Sequence, residues 1–319
     1  MRAITVSDRQ LTLAEVPEPV VGDGEVLVDV VAAGVNRADL AQAAGSYPPP
    51  PGASPLLGLE VSGRRRDTGE NVIALLAGGG YAETVAVPES HLLPVPAGLS
   101  LTHAAGLIEV AATVVSNLVI EGGLRRGTDA DRPQTVLIHG GTGGIGTFAI
   151  QFAHALGARA LTTVGSDAAV SHAIALGADA AFNRHTTDVA AAVRDAGGAD
   201  IILDLVGGPA LDENVGMLRE FGRLVIIGTM GGASGPLNVG ALMAKRAHVI
   251  GTTLRSRGID DKAQILARTR ELVWPLIENG TIRVPVQDVV DLADAQRAHQ
   301  ILRDGGHLGK VILQVRTEN

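Results

Sequence analysis

The residues best placed for chemistry in this chain are glycines. Gly141-Thr142-Gly143-Gly144-Ile145-Gly146 is a full G-x-G-x-x-G, and it follows a short apolar run, Val136-Leu137-Ile138, that ends at His139. Apolar residues then recur at Ile145, Phe148, Ala149, Phe152 and Leu156, one face of a helix. Strand, glycine loop and helix in that order are the context in which the motif binds a dinucleotide. Gly141 is expected to allow the tight turn, Gly143 to let the backbone approach a pyrophosphate, and Gly146 to let the helix pack on its strand. The helix N-terminus then offers free N–H groups and a positive dipole end to the phosphates. About 20 residues later, where an NAD-selective site carries an acidic residue, the second strand ends Thr163-Val164-Gly165-Ser166. Ser166 can donate to a phosphate without repelling it, whereas Asp167 argues the other way unless it caps the next helix.

Composition removes several alternatives. The net charge is −8 and no basic cluster exceeds Arg64-Arg65-Arg66, so a nucleic-acid partner is not expected. Cysteine is absent, so disulfides, thiolate zinc sites and a cysteine nucleophile are all excluded. The nine histidines form no His-x-His or His-x3-His pair, and no metal site is expected. The N-terminus lacks the apolar core of a signal peptide, and the apolar stretch 104–120, interrupted by Glu109 and Asn117, reads as too short and polar to span a bilayer. A soluble, cytoplasmic protein without a membrane partner is the expectation.

The elements that must position these residues divide the chain. At 319 residues two domains are expected. Residues 1–100 read as β-rich, with short β-branched runs at 4–6, 11–16, 25–32, 70–76 and 81–87. Between them lies 45–55, whose four consecutive prolines favour a rigid, extended path. The stretch 101–120 reads as one helix, and 125–134 as a charged, solvated connector. From Thr135 six strands alternate with helices, which implies a parallel, doubly wound sheet that binds ligands at its carboxyl edge. Gly207-Gly208, Gly228-Thr229 and Thr253-Leu254 follow its later strands and so are candidates to line that edge, their simpler role being turn formation. What remains after Arg257 is too short for an independent domain and is expected to rejoin the N-terminal part.

At this point the chain resembles the medium-chain dehydrogenase/reductase superfamily, in its zinc-free quinone oxidoreductase branch, which includes the stress-inducible quinone oxidoreductases of animals. The likeness rests on Val35-Asn36-Arg37-Ala38-Asp39-Leu40, residues 47–54, Gly58-Leu59-Glu60, the glycine loop, Leu203-Asp204-Leu205-Val206-Gly207-Gly208, residues 251–257 and Gly309-Lys310-Val311. It implies an α/β fold: a Rossmann domain at 113–255 bracketed by a β-rich GroES-like domain at 1–112 plus 256–319. Zinc enzymes of the superfamily have a cysteine where this chain has Asn36 and a histidine where it has Leu59, so the zinc mechanism is disfavoured.

The resemblance also implies roles. Asn36 and Asp39, which could otherwise be an Asx turn and a helix cap, are placed in the cleft beside the nicotinamide. Tyr47 is placed against the cofactor and the quinone, and Thr113 and Lys310 at the nicotinamide end. NADPH-using relatives follow Gly-Ser with a lysine, and carry Tyr or His after Phe-Asn; here Ala168-Ala169 and Arg184-His185 stand instead, which makes Arg184 the candidate for the 2′-phosphate. NADPH is therefore expected rather than NADH, with a quinone or conjugated carbonyl as acceptor. An enoyl reductase and a non-enzymatic NADPH-binding protein remain open, and a homodimer or homotetramer is implied by the family.

Overall fold

The computed structural model describes residues 1–127 and 132–318. Part of the connector expected at 125–134 therefore lies outside the described residues. The chain forms two compact units: Met1–Ala112 with Leu254–Asn279 and Val284–Asn319, and Thr113–Thr253 with Gly280–Arg283.

The second unit is built on six parallel strands. In spatial order they are Ala180–Asn183, Arg159–Val164, Thr135–His139, Ala199–Asp204, Leu218–Ile226 and His248–Gly251. The chain starts in the middle at Thr135–His139, fills one side, then crosses back to fill the other. This is the order of a doubly wound dinucleotide-binding sheet, and the reversal falls between Thr135–His139 and Ala199–Asp204. Burial on both faces explains the continuous apolar runs: Leu137, Leu161, Ile202 and Leu224 are completely buried. The helix Gly144–Ala155 is buried from Gly146 through Ala153, more completely than a single apolar face predicts. One of its buried polar residues, Gln151, accepts from the Arg283 N–H at 3.0 Å and donates to the Arg283 carbonyl at 3.0 Å. Those bonds tie 280–283 to this unit.

The first unit holds a seven-stranded, mostly antiparallel sheet around the long strand Glu25–Val35, and the hairpin Arg2–Ser7/Gln10–Glu15. Its core includes Val28, Val30, Val61, Tyr81 and Leu313. The strand Glu60–Arg65 escapes the sequence pattern because its residues, EVSGRR, do not alternate; pairing with both Glu25–Val35 and Asn71–Leu75 decides its conformation instead.

The stretch expected to be one helix is three pieces, Leu101–Ala104, Ile108–Val114 and a π-helical segment Val115–Glu121. The run Leu101–Glu121 spans 21 residues and contains an 18-residue stretch of mean hydropathy 1.6, so by length and composition it does reach membrane-spanning size. That corrects the sequence reading of this stretch as too short. Its side chains are mostly buried in the fold, as in a core helix.

Candidate active site

The glycine loop assigns each glycine a separate physical reason. The left-handed turn is made by Gly140, at φ +79°, and not by Gly141 as expected. Gly140 and Gly141 both donate to the Thr163 carbonyl, at 3.1 and 2.9 Å. Gly141 is required by space: a Cβ there would lie 2.3 Å from Thr162 Oγ1. At Gly146 a Cβ would lie 2.1 Å from the Gly140 carbonyl, so this glycine sets how closely helix meets strand. Gly143 is different. It caps the helix in an ordinary extended conformation, its missing side chain faces open space, and no side chain caps the helix there. Among the described residues no packing contact requires a glycine there, so beyond its N-cap preference the position leaves the uncapped first-turn N–H groups open to an approaching ligand. Thr142, Gly144 and Ile145 are partly exposed around it. Behind the loop, His139 is held by Thr163 Oγ1 at 3.1 Å and Asn214 Oδ1 at 2.7 Å, which gives it a supporting role.

The end of the second strand brings together two residues that sequence alone could not connect. The Arg184 N–H donates to the Val164 carbonyl at 3.0 Å, and its guanidinium lies over Gly165, with Nη2 only 3.0 Å from where a Cβ would stand. Ser166 is adjacent, and both side chains are exposed. Among the described residues the Arg184 guanidinium has no hydrogen-bond or ion-pair partner. Ser166, not Asp167, caps the next helix, accepting from the Ala169 N–H at 3.3 Å. Asp167 is bound by Asn183 Nδ2 at 2.7 Å.

Along the later strand ends, Gly207 (φ +87°) makes a turn whose N–H groups are collected by Asp204. Gly208 is a packing glycine, since a Cβ would strike the Ser234 backbone at 2.2 Å. Gly228 is partly exposed, Thr229 and Thr253 are exposed, and Leu254 is partly buried and belongs to the first unit. Thr113 is buried at the end of its helix. A residue not singled out beforehand, Asn117, connects this region: its Nδ2 donates to the Thr113 carbonyl at 2.8 Å, and its Oδ1 accepts from Thr252 Oγ1 at 2.5 Å.

In the first unit, Asn36, Glu60 and Lys310 form a buried polar cluster. Lys310 Nζ donates to Asn36 Oδ1 at 2.6 Å, Glu60 Oε1 at 2.7 Å and the Val35 carbonyl at 3.2 Å, so all three ammonium protons are used. Asn36 Nδ2 in turn donates to Glu60 Oε1 at 3.1 Å. Asp39, expected in the cleft beside the nicotinamide, is fully buried: it accepts from the Asn36 and Gly58 N–H groups and from the Tyr81 hydroxyl. Burial raises its carboxyl to about 6 against those hydrogen bonds. It caps its helix and fixes the Gly58 backbone.

Tyr47 is half-buried, and its hydroxyl pKa is raised by burial, with the Arg255 guanidinium opposing. Arg255, also absent from the sequence-level candidates, sits 5.2 Å from the Tyr47 ring centroid. It donates to the Ala77 carbonyl, the Tyr47 carbonyl and Gln42 Oε1, fixing the proline-rich loop.

Comparison with known proteins places these features in a family. Residues 22–97 match the alcohol dehydrogenase GroES-like domain, and 144–271 the family described as zinc-binding dehydrogenase. A quinone oxidoreductase of Mus musculus is 28% identical over 316 residues, covering 94% of this chain and 92% of that one. A phenolphthiocerol/phthiocerol polyketide synthase of Mycobacterium tuberculosis is 30% identical over 306 residues, 91% of this chain, although the match makes up only 14% of the synthase polypeptide. The quinone oxidoreductase from Thermus thermophilus, solved also as its complex with NADPH, superposes with a TM-score of 0.86 at 31% identity, covering 99% of this chain and 100% of that one. The chain belongs to the medium-chain dehydrogenase/reductase superfamily of oxidoreductases, among relatives that include quinone oxidoreductases.

Proposed function

We propose that the protein is an NADPH-dependent, zinc-independent quinone oxidoreductase. The observation that supports the cofactor assignment is the Arg184 guanidinium, which has no hydrogen-bond or ion-pair partner among the described residues and lies over Gly165 next to Ser166, free to bind a 2′-phosphate. The open space at Gly143 and the uncapped helix end fit the pyrophosphate. NADPH, when bound, supplies the hydride that reduces the acceptor. The chain contributes binding, orientation and hydrogen-bond donors. Tyr47 is protonated at neutral pH, as an ordinary phenol is, and burial raises its pKa further, so its hydroxyl can donate to an acceptor oxygen. Thr113, Gly228, Thr229, Thr253 and Leu254 are proposed to flank the cofactor.

Zinc independence is supported by the donor set. Asn36 offers an amide already bonded to an ammonium, Leu59 offers no donor, and the Lys310 cation stands 2.7 Å from Glu60. A divalent cation there would face that ammonium, and these residues do not fit a catalytic zinc.

A second reading, enoyl reduction of conjugated ketones or thioesters, is favoured by the polyketide synthase relative. Turnover of NADPH against phenanthrenequinone, an enone and an enoyl thioester separates the two. Faster enone or thioester reduction refutes the quinone assignment, and NADPH binding without turnover of any acceptor refutes an enzyme. We also propose a cytoplasmic homodimer, or a homotetramer built from it. His248–Gly251 is an edge strand, and the neighbouring helix Val239–Lys245 has no buried residue, with Met243 72% exposed. Light scattering on the purified chain reads the mass directly, and a monomeric mass refutes the assembly.

A further inference from the structure

Among the described residues, two buried cations of the first unit have no carboxylate bonded to them. Arg255 and Lys262 are each 5% exposed. The Arg255 guanidinium is held only by neutral oxygens, from Ala77, Tyr47 and Gln42, which leaves two of its five N–H groups. The carboxylate whose field reaches it, Asp39, is already spent on Asn36, Gly58 and Tyr81. Lys262 makes no hydrogen bond or ion pair through its ammonium among the described residues. The charges acting nearby are of its own sign: Arg255 disfavours its protonated form, and it disfavours that of His91, whose Nε2 donates to the Ile259 carbonyl at 3.1 Å.

Lys310 shows what this fold does with a buried ammonium when the charge is structural, since its three protons all have acceptors and Glu60 neutralises it. Lys262 has none of this. It lies in the first turn of the 20-residue helix Ile259–Glu278, whose cap, Gly258, brings no side chain to the free N–H groups. Asp260 and Asp261 of the same turn are exposed, and Asp261 is taken by Arg257 at 3.2 Å. Two like charges buried without a counterion oppose folding, so their retention points to an anion that completes them. The same guanidinium lies against the Tyr47 ring.

We propose that Arg255 and Lys262 form a subsite for an oxyanion, carboxylate, sulfonate or phosphate, carried by the acceptor, so that the preferred acceptor is an anionic quinone or conjugated carbonyl rather than a neutral one. The substrate half of this inference rests on the proposed reductase activity. The anion site itself does not.

Equilibrium binding of redox-inert naphthalenesulfonate and of neutral naphthalenesulfonamide tests the site without turnover. The sulfonate is expected to bind wild type about tenfold more tightly than Lys262→Met, with Lys262→Arg restoring most of the difference, and the sulfonamide to bind all three alike. Lys262→Met should also unfold at a temperature equal to or above that of wild type, because it removes an unpaired buried charge. Equal sulfonate affinity in wild type and Lys262→Met overturns the site. Tight binding of inorganic phosphate alone, with no gain for the sulfonate over the sulfonamide, overturns its assignment to the acceptor. A failure of every quinone and enone to be reduced would refute the reductase reading while leaving these binding results as they stand.

Discussion

Gly143 and Gly146 are both motif glycines, yet the structure predicts opposite consequences for the same substitution. In Gly146→Ala the new methyl would stand 2.1 Å from the Gly140 carbonyl and 2.8 Å from the Gly141 Cα, so the helix must move off its strand. Overpacking of this kind costs about 1–3 kcal/mol. At roughly 2–4 °C per kcal/mol for a unit of this size, the thermal midpoint should fall by several degrees. In Gly143→Ala the methyl meets nothing within 4 Å, and the backbone at φ −73°, ψ 173° suits alanine. Only the N-cap preference is lost, at most about 1 kcal/mol. The methyl does occupy the space through which a pyrophosphate would reach the backbone. Losing one charge-assisted hydrogen bond, about 1.5–3 kcal/mol, would weaken NADPH binding by roughly 10- to 150-fold. Calorimetric titration with NADPH and a thermal scan of both variants decide the matter. Wild-type NADPH affinity in Gly143→Ala would refute the reasoning, because that glycine would then have no ligand to explain it.

Three further outcomes follow from the same geometry. Arg184→Ala should raise KM for NADPH about tenfold and leave KM for NADH unchanged, and an equal effect on both cofactors would remove Arg184 from the phosphate site. Tyr47→Phe should lower turnover only a few-fold, since a phenol whose pKa lies above its ordinary value is a weak general acid; complete loss with intact cofactor binding would show that the hydroxyl is essential. His299 is buried, with its pKa lowered from 6.5 to about 4 by burial. A depressed histidine contributes stability above about pH 6.5 that is lost as pH falls towards about 4, because the unfolded chain binds the proton first. His299→Leu should therefore lose less stability than wild type in denaturation between pH 7 and pH 4.5. Asp39, raised to about 6, acts in the opposite sense but is common to both proteins, so parallel profiles would refute the assignment to His299.

What the sequence makes legible follows physical range. Thr135–His139, the glycine loop and Gly144–Ala155 are local: their apolar run, turn and helix periodicity all lie within about 20 residues. The strand Glu60–Arg65 is not local, because partners at Ala33 and Leu75 impose its conformation on a sequence that does not alternate. The site shows the same division. Ser166 is readable as a strand end, but its neighbourhood with Arg184 depends on pairing of two strands. Asp39 is visible as a helix cap, whereas its burial under Tyr81 joins residues 42 positions apart. The ammonium of Lys310 and the amide of Asn36 are 274 positions apart, and no spacing rule reaches that far. Arg255 carried a weak signal, as an arginine following a strand end. Lys262 carried none, because an amphipathic helix provides an ordinary place for a lysine.

The most direct test of the account is the ratio of kcat/KM for NADPH to that for NADH, measured with phenanthrenequinone as acceptor on the wild-type chain. The open glycine loop and the Arg184–Ser166 corner predict measurable quinone reduction with a ratio of about ten or more in favour of NADPH. A ratio near one, or a preference for NADH, would contradict it.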